Sequence, residues 1–249
     1  MELITTAKYS VFDIPLSHFE VRTSNLDEDC LQLHLQGFLI WGEHFNNSSL
    51  IKLNDGFDEL MNELKSHYDM TDDSFESFDR EFWNVSRLPR IGDGKHNVHF
   101  DIFESHHHGL LTEFIHDCGL LHLLQAYLGC KVQLRETGLS VTRPMVGKSS
   151  GEGMEWHSDG SAGEYTVLMS LTDISADTGS LCLAPRSHLE YKPGLGHVNI
   201  DSESNDQRSV IHNYKAGVPI LLDARTLHKV TPNSSMTWRF VIWFIFDSY

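Results

Sequence analysis

From residue 131 onward the sequence breaks into short apolar runs at near-regular intervals, and this punctuation limits the fold more than any other feature. The runs lie at 131–142, 154–159, 165–172, 180–184, 210–214, 219–223, 227–230 and 238–247, with Gly, Pro, Asn or Asp between most of them. About eight strands of this length, joined by turn residues, point to a sandwich or barrel. The polar stretch 198–209 holds an Asp-Ser-Glu-Ser-Asn-Asp run at 201–206 and reads as a long loop of the kind that serves as a lid.

Residues 1–130 have a different texture, mixing helices with loops. Asn25 can cap a helix ending at Gln36, with Gly37 as its terminator and a strand at 38–41 after it. A second helix is expected at 55–68, where Phe57, Leu60, Met61, Leu64 and Tyr68 recur on one face. A third is expected at 110–127, where Gly119 can break it and beyond which Gly129 follows. Residues 69–108 read as loops with one strand. The expected organisation is one domain over 1–249, with 1–130 as helical and loop support and 131–249 as the β core.

The formal net charge of −16, from 35 acidic and 19 basic residues, opposes a nucleic-acid partner, which needs clustered Lys and Arg. Cys30, Cys118, Cys130 and Cys182 form no CxxC pair, so free thiols in a reduced, intracellular and cytoplasmic setting are expected. No apolar run reaches the length of a membrane span, and the expected partner is a small molecule.

The chemistry concentrates in Glu155-Trp156-His157-Ser158-Asp159-Gly160. On a strand alternate side chains share a face, so His157 and Asp159 project together while Trp156 turns to the core. An imidazole and a carboxylate so placed make two thirds of a facial metal triad, a donor set that leaves coordination positions open and suits non-haem Fe(II). His228, at the end of a distant apolar run, is the best candidate for the third ligand. Arg239 lies within Trp238-Arg-Phe-Val-Ile-Trp-Phe244, where a guanidinium is costly to bury without an anionic partner. A dicarboxylate suits it, because guanidinium and carboxylate match in a two-point fork.

These residues, with Gly179-Ser-Leu-Cys-Leu-Ala-Pro-Arg-Ser-His188 between them, resemble the phytanoyl-CoA dioxygenase family of Fe(II)- and 2-oxoglutarate-dependent oxygenases. The similarity covers 131–247 and extends weakly to the helix–Gly–strand pattern at 36–40. It implies a mainly β fold, a double-stranded β-helix or cupin-like jelly roll with helices packed on one side. It implies that His157, Asp159 and His228 ligate iron and that Arg239 pairs with the distal carboxylate of 2-oxoglutarate. O2 would be the oxidant, succinate and CO2 the co-products, and ascorbate a supporting reductant. The expected reaction is hydroxylation, or oxidative desaturation or cyclisation, of a small metabolite. Related halogenases have Gly or Ala where this chain has Asp159.

The chain departs from the family pattern twice. Arg186 stands where the family commonly has Gly, and Val230 stands where it often has a hydroxyl residue supporting the cosubstrate. Thr231 is the candidate replacement for that hydroxyl. Trp243 shares the strand face of Arg239 and is placed to reach the pocket. His106-His-His108 reads as a solvated loop, His96 and His99 as neighbours of the site mouth, Arg143 as exposed, and 147–153 as a flap. Two other readings stay open: an inactive jelly-roll binding or sensor module, and a cupin-like metalloenzyme without 2-oxoglutarate.

Overall fold

The computed structural model describes residues 26–41, 55, 115, 119–142, 155–197 and 200–249, together with the backbone of 90–91 and 97–101. Helix α1 (Leu26–Gln36) leads into β1 (Phe38–Ile40). The backbone strands β2 (Arg90–Ile91) and β3 (Asn97–Asp101) follow, then α2 (Leu120–Leu128) and β4 (Val132–Thr142). Next come β5 (Glu164–Ser170), β6 (Leu181–Leu183), a 3-10 turn (Ser187–Glu190) and α3 (Ser202–Arg208). Strands β7 (Val210–His212), β8 (Pro219–Asp223), β9 (His228–Val230) and β10 (Arg239–Ser248) complete the chain. Among the described residues no helix is long and apolar enough to cross a membrane.

The strands form two antiparallel sheets, one of seven strands in the order β1-β8-β5-β10-β4-β3-β2 and one of three in the order β7-β6-β9. This is the expected double-stranded β-helix. Alternation along β10 assigns its two faces. Phe240, Ile242, Phe244 and Phe246 are fully buried in a core shared with Leu33 of α1 and Leu120, Leu123 and Leu124 of α2. Val241, Trp243 and Ile245 face the other way, toward the three-stranded sheet and a cavity between the sheets. The helices thus seal one face of the large sheet, and the other face is left for the site.

Most expected elements form close to their expected bounds, and three differ. The stretch 69–108, expected to hold one strand, contains two, β2 and β3, which pair with each other. Of the run at 154–159, the described residues 155–159 make only an isolated bridge, His157 to His228, rather than a strand. The stretch expected as a loop at 198–209 contains α3, because Asp201 caps it, its carboxylate accepting from the N–H groups of Glu203 at 3.1 Å and Ser204 at 3.4 Å. Gly119 does break the third helix, adopting φ 77 just before α2. Of the helix expected at 55–68, only Asp55 lies within the described residues.

The Pro185–His188 corner ties the first helix to the strand that carries His228. Gly37 (φ +83) packs so closely on the His188 ring and Thr226 hydroxyl that a Cβ there would come within 2.5 Å of Thr226 Oγ1. The Thr226 hydroxyl donates to the Gly37 carbonyl at 2.8 Å. The buried Ser187 hydroxyl accepts from Leu227 N–H at 2.8 Å. His188 Nε2 donates to the His34 carbonyl at 3.0 Å, and burial holds its ring below the ordinary histidine pKa. Arg186 adopts φ 67, the one positive φ on a non-glycine residue among the described residues, which explains why Gly suits this position in the family pattern.

Candidate metal centre

His157 and His228 meet although 71 residues separate them, because their backbones exchange two hydrogen bonds, His157 N–H to His228 O at 3.0 Å and His228 N–H to His157 O at 2.9 Å. Each ring is then aimed by a backbone carbonyl two residues before it. His157 Nδ1–H donates to the Glu155 carbonyl at 2.8 Å, and His228 Nδ1–H to the Thr226 carbonyl at 3.0 Å. Both Nε2 atoms are left as lone-pair donors on one side, the arrangement that a carbonyl bound to the opposite ring nitrogen gives a metal-binding imidazole. Asp159 Oδ1 lies 3.7 Å from His157 Nε2 and 3.5 Å from His228 Nε2. The three ligand atoms lie within 4.8 Å of one another. Two imidazoles and one carboxylate at this spacing can hold one octahedral cation and leave positions free, and the set fits Fe(II).

The outer face of these strands is braced. Trp156 is buried against Cys182, Ala184 and Leu227. Its Nε1 donates to Asp206 Oδ1 at 2.9 Å. Lys229, beside His228, pairs with the same Asp206 and lies 5.0 Å over the Trp156 ring. Those contacts hold the Asp206 carboxyl below its ordinary range, Lys229 first and Trp156 second. Helix α3 is therefore tied to the neighbours of both histidines.

The centre opens on a cavity of about 400 Å³ whose wall runs along β10 from Arg239 to Ile245. Arg239, 5% exposed, donates from Nη1 to the Gly179 carbonyl at 3.1 Å and from Nη2 to Thr142 Oγ1 at 2.9 Å. Its Nε is buried without a partner, and among the described residues no carboxylate pairs with it. Burial lowers its pKa to about 10, so it stays charged at neutral pH, and burial pushes the nearby Tyr214 phenol up to about 12. Gly179 (φ +99) makes room for it, since a Cβ there would sit 2.6 Å from Arg239 Nη1 and 2.8 Å from the Thr231 carbonyl.

The cavity thus collects His157, Asp159, His228, Arg239 and Trp243, but not Thr231. His228 and Val230 share the inner face of β9, so Val230 lines the wall. Thr231 turns to Ser180, whose carbonyl accepts from its N–H at 2.9 Å and its hydroxyl at 3.4 Å. The placement therefore runs against the expected cosubstrate contact of Thr231. The hydroxyl residues lining the cavity that the sequence did not single out are Ser140, Thr166 and Tyr214. The side chains of His96, His99, His106, His107, His108 and Arg143, and the stretch 147–153, lie outside the described residues.

The model of the family described as phytanoyl-CoA dioxygenase matches residues 33–241. The chain belongs to the phytanoyl-CoA dioxygenase family. Solved structures agree with the fold. EvdMO1 is 23% identical with a TM-score of 0.63, over 90% of this chain but 50% of its own, so the chain spans half the length of EvdMO1. AviO1 from Streptomyces viridochromogenes Tue57 is 19% identical with a TM-score of 0.62, over 89% of this chain and 94% of its own. The epimerase SnoN from nogalamycin biosynthesis, in complex with Fe3+, alpha ketoglutarate and nogalamycin RO, is 14% identical with a TM-score of 0.60, over 90% of this chain and 83% of its own. No curated protein sequence matches this member of the family.

Proposed function

We propose that the chain is an Fe(II)- and 2-oxoglutarate-dependent oxygenase that hydroxylates, or oxidatively desaturates or cyclises, an unactivated C–H of a small metabolite, releasing succinate and CO2. The observation that carries this reading is a buried guanidinium with no carboxylate partner among the described residues, in the same cavity as a two-histidine, one-carboxylate triad. Burying such a charge is unfavourable unless a ligand completes it. The alpha ketoglutarate complex of SnoN, on the same fold, supports a 2-oxo diacid as that ligand.

On this reading His157, Asp159 and His228 hold the iron, and Arg239 receives the distal carboxylate of 2-oxoglutarate. When bound, iron, 2-oxoglutarate and O2 together supply the oxidising power that no side chain here possesses. The protein supplies position. The Nδ1–H bonds fix the orientation of both imidazoles and hold their Nε2 atoms forward. Arg239, clamped by Gly179 and Thr142, fixes the cosubstrate's far end. Leu168, Leu181, Val230, Val241 and Trp243 line the cavity and exclude water. A carboxylate at residue 159 occupies the position that halogenases leave to a halide, which favours oxygenation.

The test is succinate release from 2-oxoglutarate with Fe(II), ascorbate and a pooled metabolite extract, with the product identified by mass. Succinate that forms only with iron and rises with one pool fraction supports the reading. Metal binding without any succinate would support the inactive binding module instead.

A further inference from the structure

Little backbone holds the two histidines together. Strand β9 has a ladder on one side, where Leu183, Cys182 and Leu181 of β6 pair with His228, Lys229 and Val230. On its other side the segment carrying His157 contributes one isolated bridge. Past Asp159 that segment is tied again, by Gly160 N–H donating to the Ala224 carbonyl at 3.1 Å. On the side preceding His157, the backbone of Glu155 and Trp156 makes no hydrogen bond to β9 among the described residues. Side chains make that tie instead.

The antiparallel bridge sets Trp156 opposite Lys229, and alternation turns both to the face behind the two imidazoles. Asp206 spans them. Its Oδ1 accepts from Trp156 Nε1 at 2.9 Å and from Lys229 Nζ. The Lys229 ammonium in turn lies 5.0 Å over the indole ring. A carboxylate oxygen, a ring and an ammonium thus close a triangle across the two strands. The ring is packed against Cys182, Ala184 and Leu227 and cannot yield. Asp206 also stands on an anchored backbone. The neighbouring Asn205, 3% exposed, accepts through Oδ1 from Arg208 Nε at 3.0 Å and Nη2 at 2.7 Å. Arg208 pairs with Glu190 of the 3-10 turn at 3.0 Å. The Asp206 carboxylate is half exposed, so its ion pair adds little to stability. What it fixes is the spacing of the strands directly behind His157 and His228.

We propose that Asp206 is a positioning residue of the metal centre. By clamping Trp156 to Lys229 it sets the separation and tilt of two imidazoles that it never touches. The inference rests on reading His157, Asp159 and His228 as one metal site.

The experiment titrates the full, metal-free chain with Co(II), whose visible absorption reports both affinity and coordination geometry. The wild-type chain is expected to bind one Co(II). Asp206→Ala should bind it about tenfold more weakly, the low end of what losing an outer partner of a metal ligand costs. Its Co(II) absorption should change, while Tm falls by no more than about 4 °C. Asp206→Asn keeps an oxygen acceptor for Trp156 Nε1 and should recover part of the affinity. Lys229→Met should weaken Co(II) as well, and the double variant should lose less than the two single losses combined. Asp173→Ala breaks the exposed Asp173–Lys215 pair, outside the cavity and the clamp, and should leave Co(II) binding unchanged. Unaltered affinity and absorption in Asp206→Ala, an equal loss in Asp173→Ala, or full additivity with Lys229→Met overturns the proposal. If Asp206→Ala does not fold, Asp206→Asn and Lys229→Met decide, and wild-type affinity in both overturns it. A wild-type chain that binds no Co(II) brings down the triad and the clamp together. A wild-type chain that binds Co(II) no better than Asp206→Ala brings down the clamp alone.

Discussion

At the deep end of the cavity Arg239 is enclosed by neutral groups, the Gly179 carbonyl and the Thr142 hydroxyl. At the mouth Arg135, 40% exposed, is enclosed by acids. Both are arginines on the same sheet facing the same space, yet among the described residues one lacks a counter-charge and the other has more than one. A buried guanidinium without an acid is a receptor for an anion, because nothing else offsets its desolvation. A solvated guanidinium between two carboxylates is already satisfied and acts as a strut. Charge alone does not mark a binding residue; the balance of charge around it does.

The contrast is broken most severely at the deep end. Arg239→Ala should weaken 2-oxoglutarate about a hundredfold, as expected for losing one partner of a buried charge pair, with iron affinity nearly unchanged. Calorimetric titration of each ligand separates the two effects. Gly179→Ala should act on the same spot through sterics, since φ +99 and the approach to Arg239 both oppose a Cβ. A loss of about 2 kcal/mol in urea unfolding is expected, with weakened cosubstrate binding alongside. Arg186→Gly, away from both ends, should stabilise by about 1 kcal/mol by relieving its φ 67, with ligand affinities unchanged. Arg135→Ala should be mildest in stability, below about 1 kcal/mol for an exposed pair, and should leave 2-oxoglutarate affinity intact. A large cosubstrate effect from Arg135→Ala would erase the distinction between the ends.

The same contrast explains what the sequence could reveal. His228 and Arg239 are legible as polar groups set at or inside apolar runs, and His157 and Asp159 as an imidazole and a carboxylate two residues apart. Seven of the strands in the second half are legible from period and punctuation. The run at 154–159 looked like an eighth, but only His157 pairs there, so residue pattern without a neighbouring strand was misleading. Helix α3 was hidden because its residues are polar and only the Asp201 cap marks it. The mouth was not legible at all. Glu136, Thr166 and Asp247 become neighbours through register, and Arg135 joins them through a bulge that no local pattern announces. Thr231, offered as the replacement for the hydroxyl missing at Val230, follows the inward-facing Val230 by one residue and turns to Ser180 rather than into the cavity.

The central claim is that 157, 159 and 228 grip one ferrous ion to which a 2-oxo acid can bind beside Arg239. Its most direct test is an anaerobic titration of the protein with Fe(II) and 2-oxoglutarate, following the visible charge-transfer absorption of a 2-oxo acid chelated to ferrous iron. The absorption is expected to saturate at one iron per chain and to disappear in His228→Ala. A band of undiminished strength in His228→Ala, or none in the wild-type chain, would contradict it.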